Sequence, residues 1–308
     1  MEFQSYEIEY RGGEAMMIPS PLKKGQKIGI VATAGPIDPD ILFRAEAFFK
    51  SHGYDTLIAP SCFESHHSYL AGHSDEERAL DLKMMFADCE IGAIVCMRGG
   101  YGSCRLLPHL KGFDFAKYAK PFVGYSDVTY LHVYLNQVYG LQTCHGPMLK
   151  DLLRDDELTN ERFWQALIGC VPPLTDIGYW NTSLPNVSGR ITGGNLAVIC
   201  STLGTGNEID TRGKILFLEE INEEAYAIDR MLMQLSFAGK LRDCSGIILG
   251  DFNVPDIEGV WVTLRQELGD LGKPVAYGVQ AGHCVPNITI PLGRMATLVP
   301  AKGEIIFT

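Results

Sequence analysis

A serine set between a short apolar run and a helical pattern is the first candidate for chemistry. In Phe122-Val123-Gly124-Tyr125-Ser126-Asp127-Val128-Thr129, an apolar strand runs through Gly-x-Ser-Asp into a helix. A tight strand-to-helix turn of this kind presents the Ser126 hydroxyl at the helix start. It also points the next backbone N–H, that of Asp127, where an oxyanion would form. Val128 occupies the place of the second glycine in the usual Gly-x-Ser-x-Gly pattern. The competing reading is that Ser126 or Asp127 only caps a helix. A second segment, Arg98-Gly99-Gly100-Tyr101-Gly102, follows an apolar run. Glycines at a strand's end let backbone approach a ligand, so the Gly100 N–H could be a second oxyanion donor. Arg98 could pair with a carboxylate, and Tyr101 could line the pocket. The glycines match neither a dinucleotide nor a Walker motif. A third segment, Ile215-Leu216-Phe217-Leu218-Glu219-Glu220, ends a buried strand in two carboxylates, and a fourth is Gly282-His283-Cys284.

Other candidates carry less. His66, His67 and His73 read as a polar loop rather than a metal site, because no fixed spacing supports ligation. Cys104, Cys144 and Cys284 are conceivable nucleophiles without an elbow pattern. His145-Gly146-Pro147 reads as structural or pocket-lining, and Gly193-Gly194-Asn195 as an anion-binding or plain turn.

These residues need elements to hold them. Strands are expected at Lys27–Thr33, Tyr54–Ala59, Ile91–Met97 and Phe122-Val123. Helices are expected after Asp38 or Asp40, from Ser74 to about Phe86 with a Ser74/Glu77 capping box, and from Asp127. Strand alternating with helix implies a parallel α/β sheet. Composition shifts over 169–190, which is rich in Pro, Gly, Asn and Ser. The expected division is an α/β domain over 17–168, a linker over 169–188 and a β-rich domain over 189–308. Beyond the linker the pattern gives a short helix near Asn195, a strand at Lys214–Leu218 and a helix at Glu223–Phe237. Further strands are expected at Gly246–Leu249, Val275–Gly278, Ile288–Ile290, Ala296–Val299 and Glu304–Phe307. Residues 1–16 show no clean period and read as an extension.

Composition bounds the function. The chain has 308 residues, 46% of them hydrophobic and 20% charged, enough to bury a full core. A net charge of −11 argues against nucleic-acid or anionic-membrane surfaces, which need an excess of Lys and Arg. The longest uncharged stretch, 274–293, is broken by Pro, Gly, Gln, His and Asn and does not read as a membrane span. Nine cysteines without a CxxC, and no apolar leader pattern, read as reduced thiols in a cytoplasmic protein.

Taken together, the segments resemble the LD-carboxypeptidase family of serine peptidases, which includes murein tetrapeptide carboxypeptidases. The resemblance rests on IPSPLKKGQKIGIVATAGP, DEERALDLKMMFAD, MRGGYGSCRLLP, PFVGYSDVTYLH, HGPM, GGNLAV, LFLEE followed by YAIDRMLMQL, and GHCVPNITIPLG, in that order from Ile18 to Gly293. It implies a Ser-Glu-His triad of Ser126, Glu219 and His283, with Glu220 as fallback because two acids adjoin. It implies oxyanion donors at Asp127 and Gly100. It also implies a parallel α/β domain and a β-rich domain with the site in the cleft between them, and a homodimer. The implied activity is release of terminal D-Ala from murein tetrapeptides during cell-wall recycling. A triad with an oxyanion hole needs neither metal nor other cofactor. Related immunity-type peptidases cleave peptidyl-nucleotide antibiotics such as microcin C, and Tyr179 and Trp180 could mimic their base-stacking aromatic. A non-catalytic ligand-binding protein is the third reading, favoured if Ser126, Glu219 and His283 lie apart.

Overall fold

The computed structural model describes residues 16–65 and 67–308. The expected extension over 1–16 therefore falls almost wholly outside the described residues, as does His66. Five parallel strands build a first sheet: β1 (Lys27–Val31), β2 (Thr56–Ile58), β3 (Ile91–Cys96), β4 (Phe122–Gly124) and β5 (Thr143–His145). Six helices accompany them: α1 (Pro39–Ser51), α2 (Asp75–Ala87), α3 (Ser103–Leu110), α4 (Thr129–Tyr139), α5 (Leu149–Leu152) and α6 (Glu157–Leu167). Local chemistry sets their ends. Asp38 caps α1 through the Asp40 N–H at 3.0 Å, with Pro39 in the first turn. Ser74 accepts from the Glu77 N–H at 3.1 Å, but Glu77 reaches back to the His73 N–H at 2.6 Å, one residue before the expected box.

The second sheet holds β6 (Gly178–Tyr179), β7 (Val187–Asn195), β8 (Ile215–Ile221), β9 (Gly246–Asn253), β10 (Val275–Tyr277), β12 (Met295–Val299) and β13 (Glu304–Phe307). Its order is β13-β12-β7-β8-β9-β10-β6, parallel from β7 to β10 and antiparallel toward both edges. Helices α7 (Leu196–Thr202), α8 (Ala225–Phe237), α9 (Lys240–Asp243) and α10 (Ile257–Leu268) pack in this half. The stretch over 169–188 is not wholly irregular: it contributes β6, and Leu174 bridges Ile305.

Strand β11 (Ile290–Leu292) leaves this sequence of events. It crosses back and pairs antiparallel with β5, completing the first sheet in the order β11-β5-β4-β3-β1-β2. The two sheets are also joined beside Ser126. There the Asn195 N–H donates to Thr129 Oγ1 at 3.1 Å, and a Cβ on Gly194 would strike the same oxygen. One buried apolar cluster fills the first sheet and its helices, and two more line the faces of the second.

Candidate active site

Ser126 sits between β4 and α4 at φ +63°. The other described non-glycine residues at positive φ are Asp155, Asp176 and Asn222, types that tolerate it. A serine there carries strain of about 1–3 kcal/mol, as an elbow nucleophile does. Gly124 is needed because a Cβ would lie 2.9 Å from Val128 Cγ1, so Val128 packs over the strand end. Capping does not explain the segment: the turn from Ser126 has no side-chain cap of its own. Asp127 instead reaches another helix. Its buried Oδ2 accepts the Ser103 N–H at the start of α3 at 2.7 Å, which ties the elbow to the Arg98–Gly102 turn. Burial pushes the Asp127 carboxyl up, against the Ser103 hydrogen bonds that lower it.

That turn packs on the serine. A Cβ on Gly99 would lie 3.0 Å from Ser126 Cβ, and Gly100 takes φ +113°. Arg98 is half-buried and already engaged: Nε donates to Gly99 O at 3.1 Å and Nη1 to Pro36 O at 3.0 Å. Two of its nitrogens are thus committed to backbone, which leaves Nη2 for a carboxylate. Tyr101 is 46% exposed with its ring 6.0 Å from Tyr69, so it stands at the rim.

Glu219 and His283 meet. Glu219 Oε2 accepts from His283 Nδ1 at 2.7 Å, with the carboxylate wholly buried and the imidazole 14% exposed. This approach depends on Gly282, where a Cβ would come within 2.7 Å of Glu219 Oε2. Asn287 Oδ1 accepts the Gly282 N–H at 3.0 Å, and Asn253 Nδ2 donates to His283 O at 2.9 Å. Both hold the loop. Tyr125, next to Ser126, meets the imidazole edge-on at 4.8 Å. Among the described residues no hydrogen bond links Ser126 Oγ to His283. Such bonds are often long without substrate and tighten in the complex.

Glu220 points the other way. It accepts from Asn195 Nδ2 at 2.8 Å and from the Ala197 N–H at 2.7 Å, and so holds the start of α7. Burial drives Glu219 toward the neutral form, but His145 and His283 outweigh it and hold the carboxyl at about 2. Burial disfavours the His283 imidazolium, yet Glu219 wins and raises it above 6.5. Two consequences follow. The Glu219 contribution to stability is present above about 4.5 and fades as pH falls toward 2. The His283 contribution is complete below 6.5 and is lost as pH rises past its folded value. A base must also be neutral, so kcat/KM is expected to rise with pH through a midpoint above 6.5. A pH–rate profile levelling off below that value would oppose the assignment.

Beside His283 opens a cleft of about 520 Å³ lined by Asp251, Asn253, Trp261, Gln280 and Cys284 among others. The remaining candidates fall elsewhere. Cys104 is pushed up by burial, and Cys144 and Cys284 to about 12, so none is a ready thiolate. His67 stacks on Tyr69, and His73 pairs with Glu64. Among the described residues no His, Cys, Asp and Glu group could hold a metal ion. No described helix is long and apolar enough to cross a membrane. Gly193 and Gly194 do not form a turn. They are strand residues of β7, where a Cβ on Gly193 would strike Phe217 O. Tyr179 is not a free platform: it is buried, and its hydroxyl donates to Glu304 O at 2.8 Å. Trp180 stacks on Tyr277 at 6.2 Å and lies under Arg265 at 5.7 Å. His145 proves to be more than lining: its Nε2 is 3.7 Å from Glu219 Oε1. Its signal is the HGPM segment itself, whose histidine sits on β5 beside the elbow strand.

Known proteins place the chain. Residues 28–146 match the family model of the LD-carboxypeptidase N-terminal domain, and residues 188–298 that of its C-terminal domain. A Bacillus subtilis protein named "Probable murein peptide carboxypeptidase" is 40% identical over 304 residues, covering 92% of each chain. The "Murein tetrapeptide carboxypeptidase" of Pseudomonas aeruginosa is 28% identical over 88% of this chain and 92% of its own. The crystal structure of a muramoyltetrapeptide carboxypeptidase from Oxalobacter formigenes superposes with a TM-score of 0.78 at 29% identity, covering 91% of this chain and 97% of that one. The microcin C7 self immunity protein MccF, in complex with aspartyl sulfamoyl adenosine, shares the fold with a TM-score of 0.86 at 22% identity, over 95% and 98% of the two chains. With both family domains present in order, the chain belongs to the LD-carboxypeptidase family and is a serine-type carboxypeptidase.

Proposed function

We propose that the chain hydrolyses the L,D-peptide bond that releases terminal D-alanine from murein tetrapeptides, in the cytoplasmic recycling of cell-wall peptides. The observation that carries this reading is the buried Glu219–His283 hydrogen bond at 2.7 Å, made at Nδ1 and leaving Nε2 for the serine. Ser126 Oγ attacks the scissile carbonyl carbon while His283 Nε2 takes its proton. Glu219 holds the imidazole tautomer and stabilises the imidazolium. The oxyanion sits on the N–H groups of Asp127 and Gly100, each worth roughly 2.7–4 kcal/mol. Collapse breaks the C–N bond, and His283 returns the proton to the leaving amine. Water then releases the acyl group from Ser126 by the same route. Neither metal nor other cofactor enters these steps.

The named relatives support murein peptide as substrate. The peptidyl-nucleotide alternative loses its sequence support, because Tyr179 lies in the core and Trp180 is packed on Tyr277. Assembly as a homodimer rests on the resemblance alone. The test is incubation with L-Ala-γ-D-Glu-meso-diaminopimelate-D-Ala, in which mass analysis should show loss of one alanine. Amidating the substrate's C-terminus should lower kcat/KM roughly 10- to 100-fold, the worth of a hydrogen bond to a charged group. Equal cleavage of acid and amide would reject exopeptidase action. Full discrimination in Arg98→Lys would assign the carboxylate to a donor other than Arg98 Nη2.

A further inference from the structure

The triad uses one of two histidines that face Glu219. The other, His145, ends β5, paired with Gly124 of the elbow strand on one side and Ile290 of β11 on the other. It is wholly buried, and both its ring nitrogens lack a hydrogen-bond partner. Glu219 Oε1 is also buried and unpartnered, and it faces His145 Nε2 at 3.7 Å. The neighbouring rings cannot serve instead. Phe217 lies 4.9 Å away and offers no polar atom. His132 lies 6.2 Å away, with Nε2 committed to Gly124 O at 2.8 Å and Nδ1 to Thr143 Oγ1 at 2.9 Å. Tyr125 meets the ring of His145 edge-on at 5.8 Å.

We propose that His145 is a positioning residue of the catalytic carboxylate: its Nε2–H donates to Glu219 Oε1 and so holds Oε2 against His283 Nδ1. A shift of roughly 0.7 Å brings the pair into hydrogen-bond range. A core filler would be apolar, since two unpaired buried polar groups facing each other are costly. The paired geometry removes that cost and leaves each carboxylate oxygen with its own imidazole. Fixing both oxygens prevents the carboxylate from rotating away when the imidazolium forms.

This inference rests on the triad reading, and its test separates the two. His145→Gln keeps a donor near the Nε2 position, whereas His145→Leu and His145→Met remove it. Should the leucine variant fail to fold, the longer methionine remains. Melting temperatures establish folding, and NMR titration of His283 needs no substrate. Without the His145 donor, His283 becomes the sole partner of a buried charge and should hold its proton more tightly, so its pKa rises. Tyr125, Asp151 and Asp251 also face this region, Glu220 acts on His283 through its charge from the other side of the strand, and all four are unchanged in the three variants. On the tetrapeptide, kcat should fall roughly 10- to 100-fold in the apolar variants with KM little changed. His145→Gln should stay near wild type in both measurements. The inference is overturned if the apolar variants match wild type in the His283 titration, or if glutamine behaves like leucine. A wild-type protein that leaves the tetrapeptide intact would refute the substrate reading, while the titration still decides on His145.

Discussion

Ser126→Ala is expected to lower kcat on the tetrapeptide by on the order of 10⁶, as loss of the nucleophile does in other triad enzymes. The fold should survive, because among the described residues the hydroxyl makes no hydrogen bond that holds the elbow. The φ of +63° sharpens the expectation. Glycine adopts that conformation without strain, so Ser126→Gly should be equally inactive yet at least as stable as wild type. Thermal melts beside steady-state rates measure both. Turnover near wild type in either variant would remove Ser126 from the mechanism.

The second large effect separates adjacent carboxylates. Glu219→Gln keeps the volume but offers His283 Nδ1 an amide, which favours the wrong tautomer. By analogy with the corresponding change in other triads, kcat should drop about 10⁴-fold. Glu220→Gln should leave kcat within about threefold, because that side chain holds Asn195 and the Ala197 N–H at the start of α7. Its effect should appear as a stability loss of about 1 kcal/mol. The reverse ranking would move the triad role to Glu220.

Much of the site is legible in the sequence alone. The strand-to-helix serine, the glycine turn beside it and the opposite facing of Glu219 and Glu220 all follow from short-range rules of chain geometry. Other features lack a local signal. Strand β5 has three residues, too few for a period to show. Strand β7 contains Gly189, Gly193 and Gly194, which read as loop, yet each is small because neighbouring backbone or Thr129 presses on it. Helix α10 does carry a local pattern, with Val260, Leu264 and Leu268 buried at every fourth residue behind the Asp256 cap, and the β-rich expectation for this half misses it. Arg98 and Tyr179 illustrate a different limit. Residue type says what a side chain can bind, but only tertiary neighbours say what has already claimed it. For Arg98 these are Pro36 O and Gly99 O, and for Tyr179 it is Glu304 O. His145 is the converse case, a core position whose importance depends on a carboxylate 74 residues away in the chain.

The return of β11 to the first sheet also has a temporal meaning. Until Ile290–Leu292 emerges from the ribosome, β5 is an open edge with its main-chain donors and acceptors unpaired. About 145 residues separate the partners, so at 5–20 residues per second the edge waits roughly 7–30 s. Throughout that interval His145, at the end of that edge, lacks β11 beside it, and for about the first half of it Glu219 has not yet been made. A nascent chain halted before residue 290 would therefore display a sticky strand and no assembled site, and a chaperone that shields strand edges would find its target there.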